Sequence, residues 1–328
     1  MNLNKCFIIA ELSANHGGEL DIALETIRAA KRAGADAIKI QTYTADTITL
    51  NSNKDCFKIN QGTHWDGQYL YDLYKKASLP WEWHAKIFET AEEEGIVCFS
   101  SPFDNSAVDL LEELNTPIYK IASFEITDIP LIEYTASKRK PMIISTGMAD
   151  EDEIAEAVEA ARDGGCKEIA ILHCVSGYPA PAEDYNLRTI PDMLNRFGLV
   201  TGLSDHTMDN TTAIASVCLG ASIIEKHFTL NRAGGGPDDS FSLEPGELTA
   251  LCRSSKIAWN SLGSVDYGEK SSEQGNMQFR RSLYYVVDLK VGDLLTKEDI
   301  KSVRPGYGLA PKFFESLLGR KLIKNINK

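Results

Sequence analysis

Residues 6–11 read CFIIAE, an apolar run that ends on a carboxylate, and residues 20–33 behind it carry apolar side chains at helical spacing. The same strand–helix unit recurs seven more times before residue 262. The further apolar runs are 36–42, 96–100, 117–122, 141–146, 168–174, 199–204 and 222–228, and they alternate with helical segments at 82–94, 105–114, 129–138, 150–163, 187–196, 209–219 and 245–261. Eight such units predict an α/β fold of the parallel (β/α)8 TIM-barrel type.

A doubly wound open sheet is the alternative fold for alternating strands and helices. No GxGxxG follows the first apolar run, and the count of eight units favours a closed barrel. We therefore expect residues 1–262 to form one catalytic barrel.

Two segments depart from the repeat. Residues 43–80 form a long insertion after the second strand, rich in Tyr, Trp, Asn, Asp and Lys, and loops at that end of a barrel commonly cover the ligand. Residues 276–328 contain β-like runs, such as 282–289, that glycines and prolines interrupt. We expect a linker at 263–275 and a small β-rich domain at 276–328.

Composition and charge exclude several classes of protein. The 328 residues are 43% hydrophobic, and the formal net charge is −13, which argues against binding to nucleic acid or to an anionic membrane. The final stretch, 301–328, is basic, with a net charge of +6 in which Glu315 is the single acidic residue. A basic tail on an acidic body suggests that the tail docks on a negative surface.

The N-terminus and the cysteines predict a cytoplasmic protein. No signal peptide and no apolar run of membrane-spanning length is evident in the sequence. The seven cysteines are an odd number and are spread singly, which is typical of reduced thiols, and no CxxC pair predicts a cysteine zinc site.

Two histidines mark the end of the barrel where catalytic groups are expected. A lone histidine is usually structural, but His206 and His227 end neighbouring strands seven and eight, so their rings can converge on one divalent ion. Glu11, or another acidic neighbour, and water would complete the ligand shell, which suits Mn²⁺, Zn²⁺ or Fe²⁺.

A second group combines two lysines with a ring of hydroxyls. Strand ends carry Lys39, Lys120, Ser101, Ser123, Ser145 and Ser204. Together they would hold a phosphate or a carboxylate, although any single serine could simply cap a strand, and Lys120 could instead form a Schiff base. After strand eight, Asp238 lies in a Gly-Gly-Gly-Pro-Asp-Asp turn and could bind sugar hydroxyls or only shape the turn.

At several strand ends the sequence resembles the sialic acid synthase family. The matching stretches are 7–16 (FIIAELSANH), 38–42 (IKIQT), 99–103 (FSSPF), 119–125 (YKIASFE), 144–147 (ISTG), 172–181 (LHCVSGYPAP), 202–207 (GLSDHT), 221–229 (ASIIEKHFT) and 236–239 (GPDD). The resemblance implies condensation of phosphoenolpyruvate with an amino-sugar aldehyde, and it implies an antifreeze-like (SAF) β-clip domain at 276–328.

Within that family the sequence is most similar to the pseudaminic acid synthases. The similarity lies in the insertion, at 62–67 (GTHWDG), 70–74 (LYDLY) and 80–84 (PWEWH), and in 173–179 (HCVSGYP). It implies 2,4-diacetamido-2,4,6-trideoxy-L-altrose as the sugar. An N-acetylneuraminate or legionaminic acid synthase is the alternative within the family.

The resemblance also implies roles for individual residues. Metal ligation falls to His206 and His227, with Mn²⁺ as the expected ion and Mg²⁺ or Co²⁺ as alternatives. Glu125 would orient or deprotonate water, and Glu11 would contact the metal-bound water or the sugar. The phosphoenolpyruvate site would comprise Lys39, Ser101, Lys120, Ser123, Ser145, Ser176 and Ser204, and the sugar site would comprise Tyr178, Asp238 and Arg304.

Arg304 is expected to act in the partner subunit of a domain-swapped homodimer. Three other classes stay open at this point: a Schiff-base aldolase, a 3-deoxy-sugar-phosphate synthase, and a sugar-binding barrel without catalytic activity.

Overall fold

The computed structural model describes residues 5–60, 62 and 65–328. Within residues 62–67 (GTHWDG), Thr63 and His64 lie outside the described residues. The chain forms two compact units, which divide between Gly263 and Ser264.

The first unit is a closed barrel of eight parallel strands. Each strand pairs with the next, and the last pairs with the first in the register Glu11↔His227. The strands are β1 Phe7–Glu11, β2 Ala37–Thr42, β3 Val97–Pro102, β4 Tyr119–Ile121, β5 Met142–Ser145, β6 Ile169–Cys174, β7 Val200–Asp205 and β8 Ile223–His227. The prediction of a TIM barrel is confirmed, and the open sheet is excluded.

A helix follows each strand. The barrel helices are α1 Leu20–Ala33, α4 His84–Glu94, α5 Asn105–Glu113, α6 Ile129–Ala136, α7 Glu151–Asp163, α8 Thr189–Phe197, α9 Thr211–Cys218 and α10 Pro245–Leu262. The insertion between β2 and α4 adds two short helices, α2 Ala45–Ile48 and α3 Leu70–Ala77. The insertion, predicted as a loop, is therefore partly helical.

The interior of the barrel is apolar in its lower part and polar above it. The apolar part consists of Ile9, Ala37, Phe99, Ile143, Ala170, Leu172 and Ile223. Side chains alternate along a strand, so the next inward positions lie one layer nearer to the carboxyl ends of the strands. That upper layer is polar, and it includes Glu11, Lys39, Ser101, Lys120 and Glu225.

Outward-facing positions of the strands pack against the helices. Most are apolar, but β7 and β8 carry a buried ion pair in which Lys226 Nζ lies 2.8 Å from Asp205 Oδ2. The same ammonium donates to the carbonyl oxygens of Thr207 and Asp209 at 2.8 and 2.9 Å. These bonds fix the loop that follows β7.

The second unit, Ser264–Lys328, is built around an antiparallel pair, β9 Ser282–Tyr285 and β10 Ile300–Val303. The strand predicted over 282–289 is thus shorter than expected. A short helix, α11 Phe314–Leu317, precedes the final residues. Isolated β-bridges join Leu289 to Ile326 and Leu294 to Lys321.

Across the described residues, no helix combines the length and the apolar character that a membrane span requires.

The barrel interior makes Gly202 on β7 a sensitive position. A Cβ there would meet the backbone carbonyl of Ile223 and would come within 2.6 Å of Leu172 Cδ2. Because neighbouring backbone cannot yield cheaply, we expect Gly202→Ala to lower the free energy of unfolding by about 3 kcal/mol in urea denaturation. Gly246→Ala is the matched control, since a Cβ at Gly246 meets nothing within 4 Å. Equal stability of the two variants would contradict this packing argument.

Candidate active site

A cavity of about 560 Å³ opens at the carboxyl ends of the barrel strands. Its floor is the polar layer of the barrel, and its sides carry histidines, aromatic rings and residues of the insertion. All of its lining residues belong to the first unit.

Two lysines and two glutamates meet beneath the cavity. Lys39 Nζ lies 2.6 Å from Glu11 Oε2, and it donates to Ser101 Oγ at 3.2 Å. Glu225 Oε1 lies 3.6 Å from both Lys39 Nζ and Lys120 Nζ. All four charged side chains are buried, so each charge depends on its neighbours for compensation.

The pKa values of the four charged groups are shifted in different directions. Burial raises the pKa of Glu11, although Lys39 opposes the change. Burial acts on Glu225 too, but Lys120 and Lys39 outweigh it and lower its pKa. Against the effect of burial, the two carboxylates raise the pKa of Lys39, whereas burial dominates at Lys120 and lowers its pKa. Glu11 is therefore the carboxyl that accepts a proton more readily.

Serine hydroxyls surround a glycine at the end of β5 and form a cradle. The backbone N–H of Gly147 donates to Ser123 Oγ at 3.1 Å. A Cβ at Gly147 would collide with Ser176 Oγ and would lie 2.8 Å from Ser123 Oγ. Ser145 Oγ is buried, lines the cavity and has no hydrogen-bond partner among the described residues. Hydroxyls and N–H groups in this arrangement can bind an anion beside the lysines.

Two imidazoles face each other across one side of the cavity. The ring centroids of His206 and His227 are 5.4 Å apart. Nδ1 of His206 donates to the Val175 carbonyl at 2.8 Å, which leaves Nε2 with its lone pair. Nδ1 of His227 is buried, and no described residue forms a hydrogen bond with it. Tyr178 stacks beside both rings, with its centroid 4.4 Å from that of His206.

The two imidazoles could bind a divalent ion only if ligands from outside the chain completed its coordination. Among the described residues, no group of three His, Cys, Asp or Glu side chains could hold a metal ion. A metal bound here would have two imidazole ligands and would leave positions for water and substrate oxygens. The buried, unpartnered Nδ1 of His227 is consistent with such a ligand, and Asp238 Oδ2 lies 3.9 Å from that nitrogen.

Glu125 and Cys174 line the cavity with strongly shifted pKa values. Burial raises the pKa of Glu125 to about 7, although Lys120 opposes the rise. Burial alone would raise the pKa of Cys174, but His206, whose Nδ1 lies 4.0 Å from its Sγ, outweighs that effect and holds the pKa at about 7. Glu125 can therefore act as a base near neutral pH.

The structure brings most of the predicted site residues to this cavity. Those that line it are Lys39, Lys120, Ser123, Glu125, Ser145, Tyr178, Ser204, His206, His227 and Asp238. Glu11 and Ser101 lie directly beneath, in contact with Lys39, and Ser176 lies behind, 3.8 Å from Cys174. Their assigned roles stay predictions.

Two of the predicted sugar-binding residues, Asp238 and Arg304, contact other side chains of the chain. Asp238 accepts a hydrogen bond from Ser13 Oγ and faces the cavity. Arg304 lies in the second unit, where its exposed guanidinium lies 5.8 Å from the ring centroid of Phe279.

The sequence reasoning placed Glu225 near the end of strand eight but assigned no role to it, and it missed Cys174. The sequence contains information that places both side chains inside the barrel, because inward-facing positions alternate along each strand. Since His227 faces inward on β8, Glu225 must do so too, and Ser204 on β7 lies opposite Cys174 in the β6–β7 register. His173, one position before Cys174, therefore points outward, and its ring contacts Tyr185.

The Gly147 cradle gives a direct test of anion binding. We expect Gly147→Ala to weaken the binding of inorganic phosphate at least about tenfold in calorimetry, because a methyl group would fill the space between Ser123 and Ser176. Gly177→Ala is the control, since a Cβ at Gly177 makes only ordinary contacts. Unchanged phosphate binding by Gly147→Ala would rule out this cradle.

Comparison with known proteins gives the same picture over nearly the whole chain. It is 46% identical to pseudaminic acid synthase of Campylobacter jejuni (serotype O:23/36, strain 81-176) over 98% of this chain and 94% of that protein. It is 36% identical to N,N'-diacetyllegionaminic acid synthase of Legionella pneumophila, over 98% of this chain and 92% of that protein.

A solved structure shares the fold. The N-acetylneuraminic acid synthetase of Leptospira borgpetersenii, solved in complex with citrate, superposes with a TM-score of 0.75 at 33% identity, covering 84% of this chain and 92% of that one. Residues 26–267 match the NeuB family and residues 280–328 match the SAF domain, which confirms the predicted β-rich domain. The chain therefore belongs to the NeuB family of synthases, with a SAF domain at its C-terminus.

Proposed function

We propose that this protein is a pseudaminic acid synthase that condenses phosphoenolpyruvate with 2,4-diacetamido-2,4,6-trideoxy-L-altrose, giving pseudaminic acid and phosphate. The observation that carries the proposal is a single cavity in which two buried lysines and a hydroxyl cradle lie beside two histidines. The names of the Campylobacter and Legionella relatives support a substrate of the diacetamido-trideoxy class.

The floor of the cavity suits phosphoenolpyruvate, which carries a phosphate and a carboxylate. Lys39 and Lys120 supply the positive charge, and the hydroxyls of Ser123 and Ser145 offer hydrogen bonds. Ligands held in this way place C3 of the enol toward the histidine side, where the sugar aldehyde would bind.

The proposed reaction begins with formation of the carbon–carbon bond and ends with release of phosphate. C3 of phosphoenolpyruvate attacks the aldehyde carbon, the C–C bond forms, and the aldehyde oxygen takes up a proton. Positive charge develops at C2, where water adds and loses its proton to Glu125. In the resulting hemiketal phosphate the bond between C2 and the phosphate oxygen breaks, phosphate leaves with the electron pair and takes up the proton of the C2 hydroxyl, and a ketone remains at C2. Burial of the lysines strengthens their hold on the phosphate throughout.

A divalent metal, Mn²⁺ by preference with Mg²⁺ or Co²⁺ as alternatives, would be held by His206 and His227. When bound, it would act as a Lewis acid on the sugar aldehyde. The chain's own contribution there is orientation, because the Val175 carbonyl fixes the His206 tautomer and Tyr178 packs against both rings.

Phosphate release tests the proposal. The purified protein with Mn²⁺ and phosphoenolpyruvate is assayed with the altrose derivative, its manno stereoisomer and N-acetylmannosamine. We expect release with the altrose derivative at the highest kcat/KM. Binding of these sugars without phosphate release would leave only a sugar-binding protein, and preference for the manno isomer would favour a legionaminic acid synthase. Borohydride with pyruvate should trap no adduct on Lys120, unlike in a Schiff-base aldolase.

The raised pKa of Glu125 predicts a pH dependence. Because the ionised carboxylate is the base, kcat/KM should fall about tenfold per pH unit below the Glu125 pKa of about 7. Glu125→Gln should lower kcat on the order of 10²–10⁴-fold, and its residual rate should lack this acidic limb. The same limb in the variant would assign the titration to another group, such as the substrate phosphate.

Metal binding is tested without turnover. We expect His206→Gln to weaken Mn²⁺ binding at least about 100-fold in electron paramagnetic resonance titrations, because only one imidazole ligand would remain. His173→Gln is the matched control, since His173 ends a neighbouring strand but contacts Tyr185 instead of the cavity. Equal Mn²⁺ affinity of both variants would remove the proposed metal site.

The homodimer is a further part of the proposal, with Arg304 of one subunit completing the sugar site of the other. The exposed guanidinium and the basic final stretch support it. Arg304→Ala and Glu125→Gln chains are co-expressed with different tags, and the mixed dimer is purified. If Arg304 acts across subunits, the mixed dimer keeps one complete site and regains activity. No recovery would mean that Arg304 serves its own barrel, and an Arg304→Ala homodimer with wild-type activity would mean that Arg304 serves no site. The predicted cytoplasmic location stays a prediction.

A further inference from the structure

The insertion forms an apolar wall of the cavity, which we define as Ile48, Ile59, Leu70, Leu73 and Tyr74. This wall lies among the lining residues contributed by the chain between β2 and α4, while the lysines and histidines come from the barrel strands. The cavity therefore has a charged floor and an apolar wall of separate origin.

Helix α3 contributes most of the wall, and its sequence explains how. Leu70, Leu73, Tyr74 and Ala77 occupy positions i, i+3, i+4 and i+7, and all four line the cavity. An apolar stripe of this spacing normally packs against a protein core. Here part of the stripe faces an open space, in which an apolar ligand group would complete its burial.

Ile59 is held in the wall by backbone hydrogen bonds. Its N–H donates to the Gln68 carbonyl at 2.9 Å, and its carbonyl accepts from the Gly67 N–H at 2.8 Å. The next residue back, Lys58, forms an antiparallel bridge with Tyr69, directly before α3. These contacts tie Ile59 to the start of the helix.

Aromatic rings pack against the wall and line the cavity beside it. Tyr43 packs edge-on against Tyr74 and Phe103, with centroid distances of 5.8 and 5.1 Å. Tyr43 is buried, so the rings cannot move away easily. The wall has a fixed shape, and its polar neighbours at the rim are Lys58 and Cys56, both exposed.

We propose that this wall binds the 6-methyl end of the sugar and selects 6-deoxy over 6-hydroxy sugars, an inference that rests on the proposed function. The aldehyde end must lie between the lysine floor and the histidines, so the opposite end of the open chain points away from them. A methyl group gains from contact with Ile59 and Leu70, whereas a 6-hydroxyl would lose hydrogen bonds to water there.

The experiment compares two sugars that differ only at C6. The two sugars are the altrose derivative and its 6-hydroxy counterpart. Their Kd values are measured by calorimetry in the presence of Mn²⁺, with inorganic phosphate in place of phosphoenolpyruvate so that no reaction takes place. We expect the wild-type protein to prefer the 6-deoxy sugar about tenfold or more. Ile59→Thr and Leu70→Asn should each reduce this preference at least about threefold.

Leu50→Asn is the matched control, because Leu50 belongs to the same insertion, is 67% exposed and does not line the cavity. Its preference should equal that of the wild type. Circular dichroism of each variant shows whether it folds, and Leu70→Met, which keeps the apolar contact, should restore the preference.

Two outcomes would overturn the inference. One is an unchanged preference in both folded wall variants, and the other is equal affinity of the wild-type protein for the two sugars. Failure of the proposed function looks different, because the sugars would bind with the expected preference while no phosphate is released from phosphoenolpyruvate.

Discussion

The site depends on a buried cluster of opposite charges at the top of the barrel interior. Lys39 meets Glu11 at 2.6 Å, and Glu225 lies 3.6 Å from both lysines. Burying any one of these charges alone would be costly, and removing one partner of a buried pair typically costs about 3–5 kcal/mol. Strand register sets the geometry, since Glu11 and Lys39 are direct partners across β1 and β2. A slip of either strand by one residue would turn its charge out of the barrel and leave the other charge without its partner.

This cluster also prepares the site for an anion. A ligand with phosphate and carboxylate groups competes with Glu11 and Glu225 for the same two ammonium groups. Burial raises the pKa of Glu11, so this carboxyl gives up its charge more readily than Glu225, whose pKa the lysines lower. Lys39 can therefore exchange Glu11 for a ligand anion at a lower cost than it could exchange Glu225.

The barrel could be predicted from the sequence because each strand is a short apolar run and each helix carries apolar side chains at helical spacing. Lys39, Lys120 and the histidines could be predicted because polar residues at strand ends are conspicuous. Glu225 was assigned no role because it lies two residues inside its strand, where only the alternation of inward positions reveals it. The helix α3 was missed because its stripe is only eight residues long and lies within a segment rich in polar and aromatic side chains.

Net charge and local charge act in opposite directions in this molecule. The chain carries −13, so its overall field repels an anionic substrate. That field is screened over about 8 Å at physiological ionic strength, whereas contacts inside a closed cavity are screened much less. In the proposed function, affinity for phosphoenolpyruvate would therefore come from short-range contacts with Lys39, Lys120 and the Gly147 cradle. The lysines are buried, so an anion that reaches them meets charges that water screens much less than charges at the surface.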